Sequence, residues 1–262
     1  MTAPTRDELR EHLLRTRIAG PVGTPRASNI GNIRKMLAQD PHYWFGIELD
    51  RDWSLEAVVA VMADRVGIAP DPGRETGSDT IDPDRCLDAL DAVADNLAKA
   101  AAGDGRVLFA TGHPTGMLAM FMTIADALSQ AGVTVITPSA EAWVTVNDNQ
   151  RRIRYVGDVA TIGTGGDLLH THSPEPMQAI LAGLRGRDEP LPDLVVADHG
   201  WAGAAGQAGV ATLGFADTND PALFVAEAEG KQLVVVPLDD NVAPASYEPI
   251  AAYLLRHLSG RT

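Results

Sequence analysis

Residues 191–220, LPDLVVADHGWAGAAGQAGVATLGFADTND, decide how the chain reads. An apolar run, Leu194-Val195-Val196-Ala197, reaches Asp198-His199-Gly200. A segment of small residues follows, then a second run through Phe215 that ends in Asp217-Thr218-Asn219-Asp220. Two short β-rich runs joined by one brief helix describe a βαβ unit, whose parallel strands are buried on both faces and so lack polar alternation. Both strands then end at the same edge of a sheet, and in open α/β sheets that carboxyl edge is where ligands bind. A carboxylate and an imidazole on one strand end, facing carboxylates and an amide on the next, can hold a cation or move protons.

The same pattern recurs outward from this unit. Arg106-Val107-Leu108-Phe109-Ala110 predicts a strand, Thr111-Gly112-His113-Pro114-Thr115-Gly116 a turn, and the residues to about Gln130 a helix. A turn that opens a helix exposes backbone N–H groups and the positive dipole end, an anion site in outline. It is neither a Walker A loop nor a dinucleotide fingerprint, since it lacks both GK[ST] and GxGxxG. Val133-Thr134-Val135-Ile136 predicts a second strand, and Leu233 to Leu238 a last one that ends in Asp239-Asp240-Asn241 before a closing helix over 247–258. Between them, Val159 to Ile162, the turn 163–166 and Asp167 to Thr171 predict a hairpin. His170 and His172 share a face of an extended segment. Ser173-Pro174-Glu175 then starts a helix with a cap, an N1 proline and a first-turn acid. The expected fold is α/β, a mainly parallel sheet flanked by helices in a Rossmann-like three-layer arrangement.

The first hundred residues read as helical. Thr5 or Asp7 caps a helix with Leu9, Leu13, Leu14 and Ile18 on one face, a second helix covers roughly 26–39, and Ser54 caps a third over 55–66. His42-Tyr43-Trp44-Phe45 is the densest aromatic patch, read first as a packing anchor between helices and second as a substrate wall. Residues 69–83, APDPGRETGSDTIDP, read as a loop or hinge, with Asp82-Pro83 starting a helix to about residue 102. This divides the chain into a helical region 1–80, a candidate lid, and an α/β domain 81–262 that carries the active-site edge. Arg17, Arg26 and Arg34 would serve as phosphate clamps if that region closed.

The 262 residues carry a formal net charge of −14 and a pI near 4.8. Such a surface repels nucleic acid and anionic lipid, so no nucleic-acid or membrane partner is expected. Cys86 is alone, which rules out an intramolecular disulfide or a thiolate cluster. The charged start, MTAPTRDELREHLLRTR, has no apolar stretch of the signal-peptide kind, so a cytoplasmic protein is expected. An oligomeric assembly is left open.

Four of the seven histidines, His113, His170, His172 and His199, fall at predicted strand ends or helix starts, as do Asp198, Asp217, Asp220, Asp239 and Asp240. Thr111, Gly112, His113, Thr115, Gly116, His170 and Ser173 are assigned to phosphate. Asp198, Asp217, Asn219 and Asp220 are assigned to a divalent cation, Mg²⁺ or Mn²⁺ by ligand hardness. His199, His172 and Asp198 are assigned to proton transfer. Asp220 doubles as a helix cap before Pro221, and Asp239 and Asp240 read first as ordinary strand-end residues.

The segments FATGHPTG (109–116), HTHSPEPM (170–177), PDLVVADHGWAGAAGQ (192–207) and FADTNDPALFVAEAEG (215–230), with HYWFGIEL (42–49) and DTIDP (79–83), resemble an actinobacterial family labelled phosphatase. The resemblance runs along nearly the whole chain and implies phosphate-ester chemistry. The signatures of haloacid dehalogenase, tyrosine and histidine phosphatases are missing, so the activity needs another site plan. The expected function is metal-assisted hydrolysis of a small phosphorylated metabolite, a phosphate monoester. A phosphosugar-binding isomerase or lyase, or a non-catalytic metabolite-binding protein, stands as the alternative.

Overall fold

The protein is described by a computed structural model covering residues 3–258. In chain order its elements are α1 (Arg6–Thr16), β1 (Gly20–Pro25), α2 (Arg26–Leu37), α3 (Leu55–Arg65), β2 (Ser78–Ile81), α4 (Pro83–Ala102), β3 (Arg106–Ala110) and α5 (Pro114–Gln130). There follow β4 (Thr134–Val135), β5 (Trp143–Val146), β6 (Asn149–Val156), β7 (Val159–Gly163), α6 (Glu175–Gly186), β8 (Leu194–Asp198), α7 (His199–Gln207), β9 (Thr212–Ala216), α8 (Pro221–Ala228), β10 (Leu233–Pro237) and α9 (Glu248–Leu254). Several helices begin where local chemistry dictates. Thr5 closes a capping box with Glu8 on α1, Ser54 caps α3, and Asp82 caps α4 ahead of Pro83. Along α4 the buried residues Cys86, Leu87, Leu90, Val93, Ala94 and Leu97 recur at helical spacing, so one stripe faces the core.

The fold is α/β, with a mostly parallel eight-stranded sheet ordered β10-β9-β8-β3-β7-β6-β5, and β4 also paired to β3. β10, β9, β8, β3, β4 and β7 run parallel, whereas β6 and β5 are antiparallel. β8 and β9 are buried at every position, which accounts for their unbroken apolar runs. From β3 the chain goes first to β4 and β7 on one side and returns to β8, β9 and β10 on the other. The direction of winding therefore reverses between β3 and β8, the kind of switch point at which open α/β sheets bind ligands. Register then aligns the polar turns: Phe109 sits opposite Val196, Asp198 opposite Phe215, and Pro237 opposite Ala216.

Two expectations are corrected. The predicted hairpin between 159–162 and 167–171 does not form: β7 pairs with β6 instead, and residues 167–172 run as extended coil. β6 is hard to read because Gln150, Arg151, Arg152 and Arg154 crowd it. Residues 78–81, assigned to a loop, form β2 and pair antiparallel with β1, itself hidden by two prolines in GPVGTP. The aromatic patch 42–45 lies against the sheet's carboxyl edge, with Phe45 buried.

The helices form two groups by their main contacts: α1, α4, α5 and α9 in one, and α2, α3, α6, α7 and α8 in the other. One hydrophobic cluster runs from Leu9 to Leu254 and includes residues of α1, α2 and α3. Among the described residues, no helix is long and apolar enough to cross a membrane.

Candidate metal centre

The turns that leave β3, β8, β9 and β10 meet the extended segment 170–173. Asp198, fully buried at the end of β8, accepts from the Thr111 hydroxyl at 2.5 Å and from the Gly112 N–H at 2.5 Å. Thr171 N–H donates to Gly112 O at 2.8 Å, which laces the second turn to the first. This approach needs glycine: a Cβ on Gly112 would lie 2.2 Å from Thr171 O, and one on Gly116 would lie 2.3 Å from Asp240 O. The two contacts draw the 170–173 segment and the Asp239-Asp240 turn onto the start of α5.

Four imidazoles are gathered by this lacing. His113 stacks on His170 with ring centroids 4.5 Å apart, and His172 stacks on His199 at 4.4 Å. Behind them His42 stacks on His172 at 4.3 Å, and Phe45 meets His172 and His199 edge-on. Hydrogen bonding fixes the tautomers. Nδ1 of His172 lies 3.2 Å from the His42 carbonyl, which only accepts, so Nδ1 carries the proton and Nε2 of the neutral ring is a lone pair. Burial, then His199 and His42, push the His172 pKa down to about 2, so that ring is neutral. His170 Nε2, 3.2 Å from His172 Nε2, is therefore the donor, and its own lone pair sits on Nδ1. Burial together with His199 and His113 lowers His170 to about 4. His199, with φ of 44° at the start of α7, directs Nδ1 to Asp198 Oδ1 at 3.2 Å. Its Nε2 faces Asp240 Oδ2 at 3.3 Å and Asp220 Oδ2 at 3.5 Å. Burial alone would lower the His199 pKa, but Asp220, Asp198 and Asp240 outweigh it and lift it to about 10.

Opposite the imidazoles stand four buried carboxylates, Asp217, Asp220, Asp239 and Asp240. Asp217 accepts from the Thr24 hydroxyl at 2.6 Å and the Thr218 N–H at 2.6 Å, and Asp239 accepts from the Asn241 N–H at 2.9 Å. Burial, then the neighbouring Asp240, raises Asp217 well above the usual carboxylate range and lifts Asp220 to about 7. Burial likewise raises Asp239. Burial works against Asp240 too, but His113 and His199 hold it below its ordinary value. Among the described residues, no Lys or Arg forms an ion pair with any of the four. Protons therefore stand in for absent positive charge.

Three donor sets can each close on one cation: His113, His170 and His199; His199, Asp220 and Asp240; and Asp217, Asp239 and Asp240. Within each set the ligand atoms lie within 4.8 Å of one another. Asp240 Oδ2, Asp220 Oδ1 and His113 Nδ1 are buried and have no hydrogen-bond partner. Asp240 Oδ2 is 3.3 Å from His113 Nδ1, yet the pair lacks hydrogen-bond geometry, as expected of atoms aimed at a common point. Buried donors without partners are rare and call for an ion or water. The residues fit a divalent cation.

The structure brings together Thr111, Gly112, His113, Gly116, His170, His172, Asp198, His199, Asp217 and Asp220. Asp198 has its oxygens engaged by Thr111, Gly112 and His199 and belongs to none of the three donor sets. Asn219 meets its surroundings through its carbonyl, which accepts from Asn32 Nδ2 at 2.9 Å, and is in no donor set. Thr115 is exposed on the first turn of α5, and Ser173 is buried with its N–H on Thr171 Oγ1 at 3.1 Å. Arg26 is engaged with the buried Asp79, and Arg34 with Glu75 at the surface. Sequence reasoning passed over Asp239 and Asp240 as ligands, although a signal was available: no helix follows them directly, so they cap nothing. Thr24 and Asn29, which hold Asp217 and Thr218, carry no signal that a single sequence displays.

Comparison with known proteins agrees with this picture. Residues 4–261 match the family described as Phosphatase. The chain is also 52% identical over 254 residues to Phosphatase SCO2771 of Streptomyces coelicolor, covering 96% of this chain and 95% of that one. A match of this extent, spanning every turn that bears a donor, shows that the chain belongs to the Phosphatase family.

Proposed function

We propose that the protein hydrolyses a small phosphate monoester with the help of divalent cation. The observation that carries this reading is the group of buried, unpartnered donors, Asp240 Oδ2, Asp220 Oδ1 and His113 Nδ1, in a chain of the Phosphatase family. When bound, a divalent cation such as Mg²⁺ or Mn²⁺ supplies Lewis-acid stabilisation of phosphoryl oxygens and makes water acidic. His113, His170, His199, Asp217, Asp220, Asp239 and Asp240 are the residues that would hold it.

The remaining steps belong to the chain's own groups. Asp198 holds the His199 Nδ1–H and so aims Nε2 at the carboxylates. His172 accepts the His170 Nε2–H and frees the other ring nitrogen. The start of α5, at His113 and Pro114, has no side-chain cap, so its positive end is left to favour a phosphate dianion there. His42 and Tyr43, packed on His172, form the wall against which the organic part of the ester rests.

Phosphate release from a panel of metabolite monoesters tests this. It is expected to vanish after EDTA treatment, to return with added Mn²⁺ or Mg²⁺, and to fall strongly in Asp198→Asn. Release that survives chelation, or a panel left wholly intact, overturns the reading.

A further inference from the structure

The three donor sets form a chain, not three separate options. The imidazole set shares His199 with the middle set, and the middle set shares Asp240 with the carboxylate set. From these overlaps we infer that the centre takes two cations of different chemical character, joined by Asp240. The inference rests on the metal-assisted reading above and specifies its site.

At one end His113, His170 and His199 offer nitrogen, the donor that suits Zn²⁺ or another borderline transition ion. Two of these rings are already tied back as ligating histidines are. The His199 Nδ1–H is held by the Asp198 carboxylate, and the His170 Nε2–H by the neutral His172. His170 is exposed, which leaves that end open on the solvent side for substrate. At the other end Asp217, Asp239 and Asp240 offer only oxygen and are buried, a set suited to a hard ion such as Mg²⁺ or Mn²⁺. Thr24 and the N–H groups of Thr218 and Asn241 orient two of these carboxylates.

Asp240 stands between the ends. Its Oδ2 is 3.3 Å from both His113 Nδ1 and His199 Nε2, with no hydrogen bond to satisfy it. A single ion at the imidazole end would leave the buried Asp217 and Asp239 with no cation to answer them. A single ion at the carboxylate end would leave His113 Nδ1 unpartnered. Carboxylate-bridged ion pairs in such enzymes sit about 3.5–4 Å apart, the span over which one Asp serves both.

The test counts metal in the full-length chain, stripped with chelator and titrated with Zn²⁺ and with Mn²⁺, by calorimetry and elemental analysis. Two ions per chain are expected. His170→Ala should retain one, at the carboxylate end, and Asp239→Asn should retain one, at the imidazole end with its preference for Zn²⁺ over Mg²⁺. Asp240→Asn should weaken both. Saturation at one ion, or loss of the same ion in both single variants, overturns the proposal. Should a variant fail to fold by circular dichroism, the wild-type chain with two equivalents of Mn²⁺ decides through electron paramagnetic resonance. A spin-coupled pair is expected, and isolated six-line spectra overturn it. Two ions without phosphate release would defeat the hydrolase reading alone, whereas release with one ion would defeat only the ion pair.

Discussion

Two buried clusters of charge lie in this molecule, and they are built on opposite plans. Around Asp79, every carboxylate oxygen is answered: Arg26 at 2.8 Å and Asn29 at 2.7 Å on Oδ2, and Arg74 at 2.8 Å and the Ala69 N–H at 3.2 Å on Oδ1. Burial opposes ionisation there, but Arg26, Asn29 and the Ala69 N–H outweigh it and hold the carboxyl below its usual range. Around Asp240 the acids outnumber their partners, three of the four have raised pKa values, and three donor atoms are orphaned. A self-sufficient cluster holds a fold together, while a cluster that lacks counter-charge is organised for something it does not contain. Asn29 joins the two, donating to Asp79 and accepting from Thr218 beside Asp217.

That contrast can be broken by experiment. Arg26→Ala strips Asp79 of its buried partner and is expected to cost about 3–5 kcal/mol in urea unfolding; a loss below about 1 kcal/mol would place Asp79 in the other class. Gly112→Ala forces a methyl against Thr171 O, with an expected cost of about 1–3 kcal/mol and a collapse of cation retention, since the lacing turns must part. Unchanged metal content in that variant would show that the turns are not what gathers the ligands.

The two clusters should also answer pH with opposite sign. Asp79 is depressed in the folded state, so its contribution is present above the unfolded pKa of about 3.9 and is lost as pH falls through the lower folded value. Asp220, raised to about 7, and His199, raised to about 10, favour the folded state at low pH and lose that contribution as pH climbs through those values. The unfolding midpoint of the metal-free protein should therefore decline between pH 6 and 9, on the order of 3–4 kcal/mol, and Asp220→Asn should flatten that decline by removing one of the two groups and the first of the charges that lift His199. A midpoint that rises over this range would refute the assignment. The smallest effect is expected from Arg34→Ala: its ion pair with Glu75 is exposed, so the loss should stay under about 1 kcal/mol with phosphate release unaltered.

What the sequence discloses follows the same physics. β3, β8, β9 and β10 are legible because strands buried on both faces are plain apolar runs. β1 is hidden by its prolines, and β5 and β6 by the polar residues of the sheet's half-exposed antiparallel end, so the sequence does not show that β6 is the partner of β7. At the site, His113, His199, Asp217 and Asp220 stand out because each lies at or just past the end of a readable strand or at the start of a helix, and His170 and His172 because they lie just ahead of the helix-start pattern Ser173-Pro174-Glu175. Asp239 and Asp240 were discounted because strand-end acids usually cap helices. Asp198 was visible, but the sequence cannot reveal that its oxygens are already engaged by Thr111 and Gly112.

The donors come from turns at 113, 170, 199, 217–220 and 239–240, and only the completed sheet brings these together. An unfolded polypeptide offers at most neighbouring pairs such as Asp239 with Asp240. An ion that binds the centre therefore binds the native chain alone, and each tenfold excess of free ion over its dissociation constant adds about 1.4 kcal/mol to native stability. Under proteolytic challenge, the lifetime of the polypeptide would then track the local supply of cation, so starvation for metal would lower the abundance of the protein along with its turnover.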